Sequence, residues 1–210
     1  MRLRREMRGI GWAFLVGALA TAAADGQPEL RVFVTNFAHV EDENFQAAIQ
    51  VAQEIFRKAD VPVHLLACTA VELDGVFSSK CPASIGGPNA SVRVVALAAP
   101  AGKAMLLPMG QVMTDESGRR PDCVYIFYPR VSEFAEAIRV PAHRILGHAV
   151  AHEMGHLLGN DHALGGIMQA RWGTRQVTAV NSGLLLFCPV EAVKMRNNIR
   201  IRVREALALK

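Results

Sequence analysis

The sequence predicts one α/β (α+β) domain in which a mixed, twisted sheet carries its helices. Three observations predict it. Between residues 30 and 67 a strand-like run, an amphipathic helical stretch and a second strand-like run follow one another; two more β-branched or aromatic runs occupy 92–98 and 123–128; and a proline-free helical stretch covers 142–158. Strands that alternate with helices favour a sheet with parallel pairs. A length of 210 residues with 51% hydrophobic content is enough for one domain with a sizeable core.

The chain begins with Arg2, Arg4, Arg5 and Arg8, then an apolar run over 10–22, then Ala22, Ala23 and Ala24. That is the order of a secretory signal peptide. The apolar run is shorter than the roughly 20 residues a spanning helix needs, so cleavage after Ala24 is expected rather than a retained anchor. The expected organisation is a signal peptide over 1–24 and a single domain over 25–210. That domain is secreted or periplasmic, without stable membrane insertion once cleaved, and monomeric by default. Loss of residues 1–24 removes four of the 23 basic and one of the 19 acidic side chains, leaving 19 and 18 and a net charge of +1. The formal +4 of the whole chain therefore resides mostly in the targeting segment, which argues against a nucleic acid or an anionic membrane as partner.

Residues 30–36 (LRVFVTN) read as the first strand. From 42 to 58 the apolar Phe45, Ala48, Ile49, Ala52, Ile55 and Phe56 recur every three or four residues, one face of an amphipathic helix. Residues 61–67 read as a second strand, and a strand, helix, strand order implies a parallel crossover. Gly75, Pro82, Gly86, Gly87, Pro88 and Asn89 make 72–91 a region of turns and loops. Residues 92–98 and 123–128 are further strands, with 104–114 between them as an edge strand or irregular segment. Residues 142–158 form a helix that stops near Gly159, and a C-terminal helix starts near Pro189, a residue suited to a first turn. Two or three helices are thus expected. Cys68, Cys81, Cys123 and Cys188 are an even set in a chain with an export signal, so disulfides are the default. Three pairings are open; Cys68 with Cys81 is favoured, which leaves Cys123 with Cys188.

The chemistry lies on the 142–158 helix. His152 and His156 are four residues apart, so their imidazoles project from one side, a turn apart. Glu153 follows His152 directly, which sets its carboxylate beside a metal rather than on it, where it can act as general base. Gly159 comes three residues after His156, where the chain must turn, and the turn returns His162 to the first two histidines. Three histidines leave one position of a tetrahedral zinc open, the catalytic form of such a site. Gly165, Gly166, Ile167 and Met168 then form a tight apolar turn.

This run, HEMGHLLGNDH followed by GGIM, resembles the metzincin clan of zinc metallopeptidases, whose pattern is H-E-x-x-H-x-x-G-x-x-H and a methionine turn. The resemblance covers residues 152–168. It implies a metzincin-like fold with an edge strand over the cleft, an active-site helix, a Met-turn and a C-terminal helix. It also implies one catalytic Zn2+ held by His152, His156 and His162, with Glu153 as base, Gly159 at the turn and Met168 as the floor. The expected activity is that of a zinc metalloendopeptidase acting on a peptide or protein; the alternative is an inactive, zinc-stabilised secreted binding module. The Met-turn lies only six residues after His162, Ala163 follows the third histidine, and no tyrosine stands just after Met168, so the subfamily is open.

Other candidates carry less. His148 shares the face of His152, but three residues spaced by four spread over about 12 Å of helix, too far for one ion. Glu191 matches enzymes that take a third ligand from a later helix, a role His162 already fills. Asn160 and Asp161 are candidates to orient His162 or nearby backbone, and Arg171 and Trp172 to shape a pocket beyond the metal. His39, His64 and His143 are isolated.

Overall fold

In the computed structural model, which describes residues 28–73, 76–81, 89–97, 108–113 and 121–208, the first run forms β1 (Leu30–Phe37). Its alternate residues Leu30, Val32 and Val34 are fully buried, as expected where one face of a strand meets a core. The helical stretch forms α1 (Asp42–Lys58), and the six residues of its apolar stripe are the ones buried. Asp42 and Glu43 in its first turn and Arg57 and Lys58 in its last oppose the helix dipole. Asp60, at φ 52°, turns the chain into β2 (Val63–Leu73), which pairs in parallel with β1, Leu30 opposite Val63.

The 72–91 stretch departs from expectation. It contains β3 (Val76–Lys80), antiparallel to β2, and the first residues of β4 (Asn89–Val95). The segment VFSSK opens with residues of high strand propensity, and Leu73 pairs with Val76, so the backbone of β2 finds a partner close by in sequence. Gly86, Gly87, Pro88 and the 1–24 segment lie outside the described residues. A disulfide joins Cys68 on β2 to Cys81 just after β3.

β4 pairs in parallel with β1, β6 (Cys123–Phe127) in parallel with β4, and β5 (Gly110–Met113) antiparallel with β6. The described residues thus form a six-stranded mixed sheet of order β3-β2-β1-β4-β6-β5, parallel in the middle with an antiparallel strand at each edge. The part of the 104–114 expectation that is described as strand, 110–113, is one of those edges.

Five helices rather than two or three accompany the sheet among the described residues. α2 (Tyr128–Ile138) begins where 123–128 reads as continuous strand; Pro129 in its first turn fits a helix start and ends the ladder. α4 (Thr174–Asn181) has only eight residues, too few to display a periodicity. α3 (Ala142–Leu157) and α5 (Pro189–Ala208) lie where the sequence puts them. No helix among the described residues is long and apolar enough to cross a membrane.

α3 packs against α1, α2, β5 and β6. Its crossing with α1 depends on Gly147, where a β-carbon would fall 2.6 Å from the Ala48 carbonyl oxygen and from Val51 Cβ. Phe56 of α1 meets Phe187, ring centroids 5.5 Å apart. α5 closes the same core with Met195 and Ile199, both fully buried, each contributing roughly 1.5–3 kcal/mol by the area removed from water.

The second cysteine pair does not form: Cys123 and Cys188 are free thiols. Arg202 of α5 donates to the Pro121 carbonyl at 2.8 Å, two residues from Cys123. Cys188 lies fourteen residues before Arg202, at the other end of the helix. A rise of 1.5 Å per residue separates those ends by about 20 Å, well beyond disulfide reach.

Candidate metal centre

α3 is buried continuously from Ile145 to Gly155, so its polar residues must find partners inside the protein. His152 is 9% exposed, and its Nδ1 lies 2.7 Å from the Ile167 carbonyl. His156 Nδ1 lies 2.8 Å from the Asn160 carbonyl. A carbonyl only accepts, so both Nδ1 atoms carry the proton and donate. Both Nε2 atoms are then left with bare lone pairs, and they stand 3.1 Å apart. Two lone pairs at that distance repel unless a cation lies between them. Bonds of 2.0–2.1 Å at a tetrahedral angle place two zinc ligands about 3.3 Å apart, close to this spacing.

His162 completes the group. One ligand atom from each of His152, His156 and His162 lies within 4.8 Å of the others, the single such cluster of three among the described residues. The ring of His162 is 4.6 Å from that of His156 and 5.5 Å from that of His152. Burial, and then the neighbouring His156 and His162, pull the His152 pKa down to about 4; burial also lowers His156. His152 and His156 are thus neutral imidazoles, the form that binds zinc, and His162 is exposed, which leaves a solvent side open.

Local structure explains the convergence. At the end of α3 the Asn160 N–H donates to the Gly155 carbonyl and the Gly159 N–H to the His156 carbonyl, both at 2.9 Å, with Gly159 at φ 89°. This is a Schellman motif, and a glycine suits its left-handed position. α5 satisfies the remaining carbonyls: Asn198 Nδ2 donates to Leu158 at 2.8 Å and Arg202 Nη2 to Leu157 at 3.0 Å. Past His162 the chain folds back, Ala163 N–H to the Met168 carbonyl at 2.9 Å. Met168 is fully buried against α3 at Gly155, where a β-carbon would stand 2.5 Å from the methionine sulfur. Gly155 stands on α3 between His152 and His156 in sequence, so Met168 packs on the stretch of helix that carries them.

Glu153 is 7% exposed, and burial pushes its carboxyl up to about 7. Its side chain packs under β5 at Gly110, and its carboxylate is not among the clustered ligand atoms. His148 is buried, donates from Nδ1 to the Arg144 carbonyl at 2.7 Å, and is not in the cluster. Glu191 serves the helix instead of the metal, because its Oε2 accepts from the Cys188 N–H at 2.7 Å and so caps α5 from the third position. Asn160 orients His156 through its backbone carbonyl, not His162, and Asp161 pairs at the surface with Lys194 at 3.3 Å.

Arg171 is exposed, whereas Trp172 is half-buried and stands edge-on to His148 and His152, centroids 6.1 Å away in each case. Its indole Nε1 donates to the Ile167 carbonyl at 3.3 Å, the same oxygen that orients His152. Trp172 therefore backs the site through the Ile167 carbonyl. Asn198 and Arg202 have no signature in the sequence around the motif, because they reach α3 from about 40 residues away.

No protein-family profile matches the chain, and no curated protein matches it in sequence. Its fold is similar to that of archaemetzincin from Methanopyrus kandleri, at a TM-score of 0.52 and 14% identity, over 85% of this chain and 99% of that one. A zinc-dependent peptidase from Methanocorpusculum labreanum also matches, at a TM-score of 0.44 and 14% identity, over 78% of this chain and 99% of the other. At this identity the first likeness shows the fold alone, the mixed sheet with its packed helices.

Proposed function

We propose that this chain is a secreted zinc-dependent endopeptidase with one catalytic ion held by His152, His156 and His162. The observation that carries the reading is the pair of bare Nε2 atoms 3.1 Å apart, each fixed by a carbonyl behind it, with His162 beside them and Glu153 next in the chain. A structural zinc has four protein ligands as a rule; three with an open side suit catalysis. The name of the archaemetzincin neighbour and its shared fold point the same way.

When bound, the ion supplies Lewis acidity, polarising a carbonyl and lowering the pKa of water. The protein's residues do the rest. The Ile167 and Asn160 carbonyls hold His152 and His156 in the tautomer that offers Nε2 and prevent their rings from turning. Glu153 takes the proton of the attacking water and returns it to the leaving amine. Its side chain is buried on α3, which shields the proton it carries from bulk water. The substrate is a peptide or protein, the domain spans 25–210 after removal of 1–24, and it works as a monomer outside the cytoplasm.

The test is zinc content and peptide cleavage on the same purified sample, with a denatured proteome as substrate. One zinc per chain and cleavage abolished by chelator are expected. Bound zinc with no chelator-sensitive cleavage identifies an inactive, zinc-stabilised binding module instead.

A further inference from the structure

Gly110 opens the edge strand β5, and its position relative to Glu153 is unusually close. A β-carbon built there lies 2.5 Å from Glu153 Cγ and 2.9 Å from Cδ, and 2.9 Å from Ile126 Cδ1. The first distance is shorter than real contacts allow, so a side chain at 110 and the present Glu153 side chain exclude each other. Ile126 Cδ1 is the flexible end of its side chain and can give way; the Glu153 chain is confined on a buried helix.

The backbone of Gly110 has its own orientation. Phe127 N–H donates to the Met109 carbonyl at 2.9 Å, and the register sets Gly110 opposite Ile126 and Gln111 opposite Tyr125. In an antiparallel ladder bonding residues alternate, so the polar groups of Met109 and Gln111 face β6 and those of Gly110 and Val112 face away from it. β5 ends the sheet order among the described residues. Gly110 thus presents its N–H and C=O to the side of β5 away from β6, where no strand pairs with it among the described residues, while the space beneath its Cα belongs to the Glu153 side chain.

We propose that Gly110 is a positioning residue: its missing side chain leaves the room in which the Glu153 carboxylate is held under the edge strand. This rests on the reading of Glu153 as the general base. A methyl group at 110 displaces the carboxylate but keeps the backbone N–H and C=O, so it separates catalysis from substrate binding.

The experiment compares Gly110→Ala in two backgrounds, wild type and Glu153→Ala, in which the colliding Cγ and Cδ are gone. In zinc-loaded protein with unchanged metal content, Gly110→Ala lowers kcat by roughly 100-fold, the cost of misplacing a catalytic group by about 1 Å. KM for a peptide stays within about twofold, because uniform binding is untouched. In metal-free protein Gly110→Ala lowers Tm by several degrees in the wild-type background and not in the Glu153→Ala background. Should the single variant fail to fold, the double variant folds and gives the same comparison. Equal losses of Tm in both backgrounds, or an unchanged kcat, overturn the proposal. A wild-type protein that cleaves no peptide defeats the peptidase reading, and the thermal comparison, which needs neither substrate nor metal, still decides whether residues 110 and 153 share one space.

Discussion

α1 and α3 are nearly equal in length and touch at Gly147, yet they are held in opposite ways. α1 buries one stripe of six residues, all apolar, and turns charge to solvent. α3 buries twelve residues, including His148, His152 and Glu153. Removal of apolar area from water stabilises α1; the buried polar groups of α3 cost free energy that only specific partners offset. His152 and His156 each have a carbonyl on Nδ1 and a bare Nε2 facing the other, and Glu153 has been left nearly dry. One helix is built for stability and the other gives some of it up for a site.

The largest expected effect on stability falls on α1. Phe56 is fully buried against Phe187, so Phe56→Ala should cost about 3–5 kcal/mol in denaturant unfolding while the folded protein still binds zinc. A cost below about 1 kcal/mol contradicts the account of α1 as the apolar anchor.

On α3 the sign reverses. The Glu153 carboxyl has a folded pKa of about 7 against an ordinary 4.5. Between those values the unfolded chain ionises first, so the stability of the metal-free protein falls as pH rises through that window and stays lower above it. Glu153→Gln removes this dependence. Metal-free Glu153→Gln should exceed wild type by roughly 3 kcal/mol at about pH 8, with the difference vanishing near pH 4. His152, whose pKa is lowered, loses stability in the opposite direction as pH falls, but it is present in both proteins and cancels. A pH-independent difference in urea melts contradicts the burial of an unpaired carboxylate.

The smallest effect is at the C-terminal end of α3, where α5 meets it. Asn198 donates to the Leu158 carbonyl at 2.8 Å, so Asn198→Ala should cost about 1 kcal/mol. Hydrogen exchange should show that loss at 155–160, with the α1 amides unchanged; an effect spread evenly over both helices contradicts a local cap.

The contrast between the helices also separates what is legible in the sequence from what is not. α1 runs over the residues its period marks, and β1 matches to within one residue, because burial on one side leaves a pattern in the chain. The 152–168 motif is likewise readable, since its spacing is local: a helix turn for His156, a Schellman turn for His162 and a short reversal for Met168. β3, α2 and α4 are short or start with residues that suit two structures, so propensity alone misplaces them. The closeness of Gly110 to Glu153, the Trp172 donor, the α5 caps and the unpaired Cys123 and Cys188 depend on chain segments brought together only by packing. No local pattern encodes such contacts.

The burial of α3 and the neutral histidines it carries converge on Glu153, and the cleavage rate of zinc-loaded Glu153→Gln tests that residue's role most directly. With one zinc per chain retained, the rate on a peptide substrate should fall by about 10²- to 10⁴-fold, the usual worth of a general base. A variant that holds its zinc and cleaves at the wild-type rate contradicts the account.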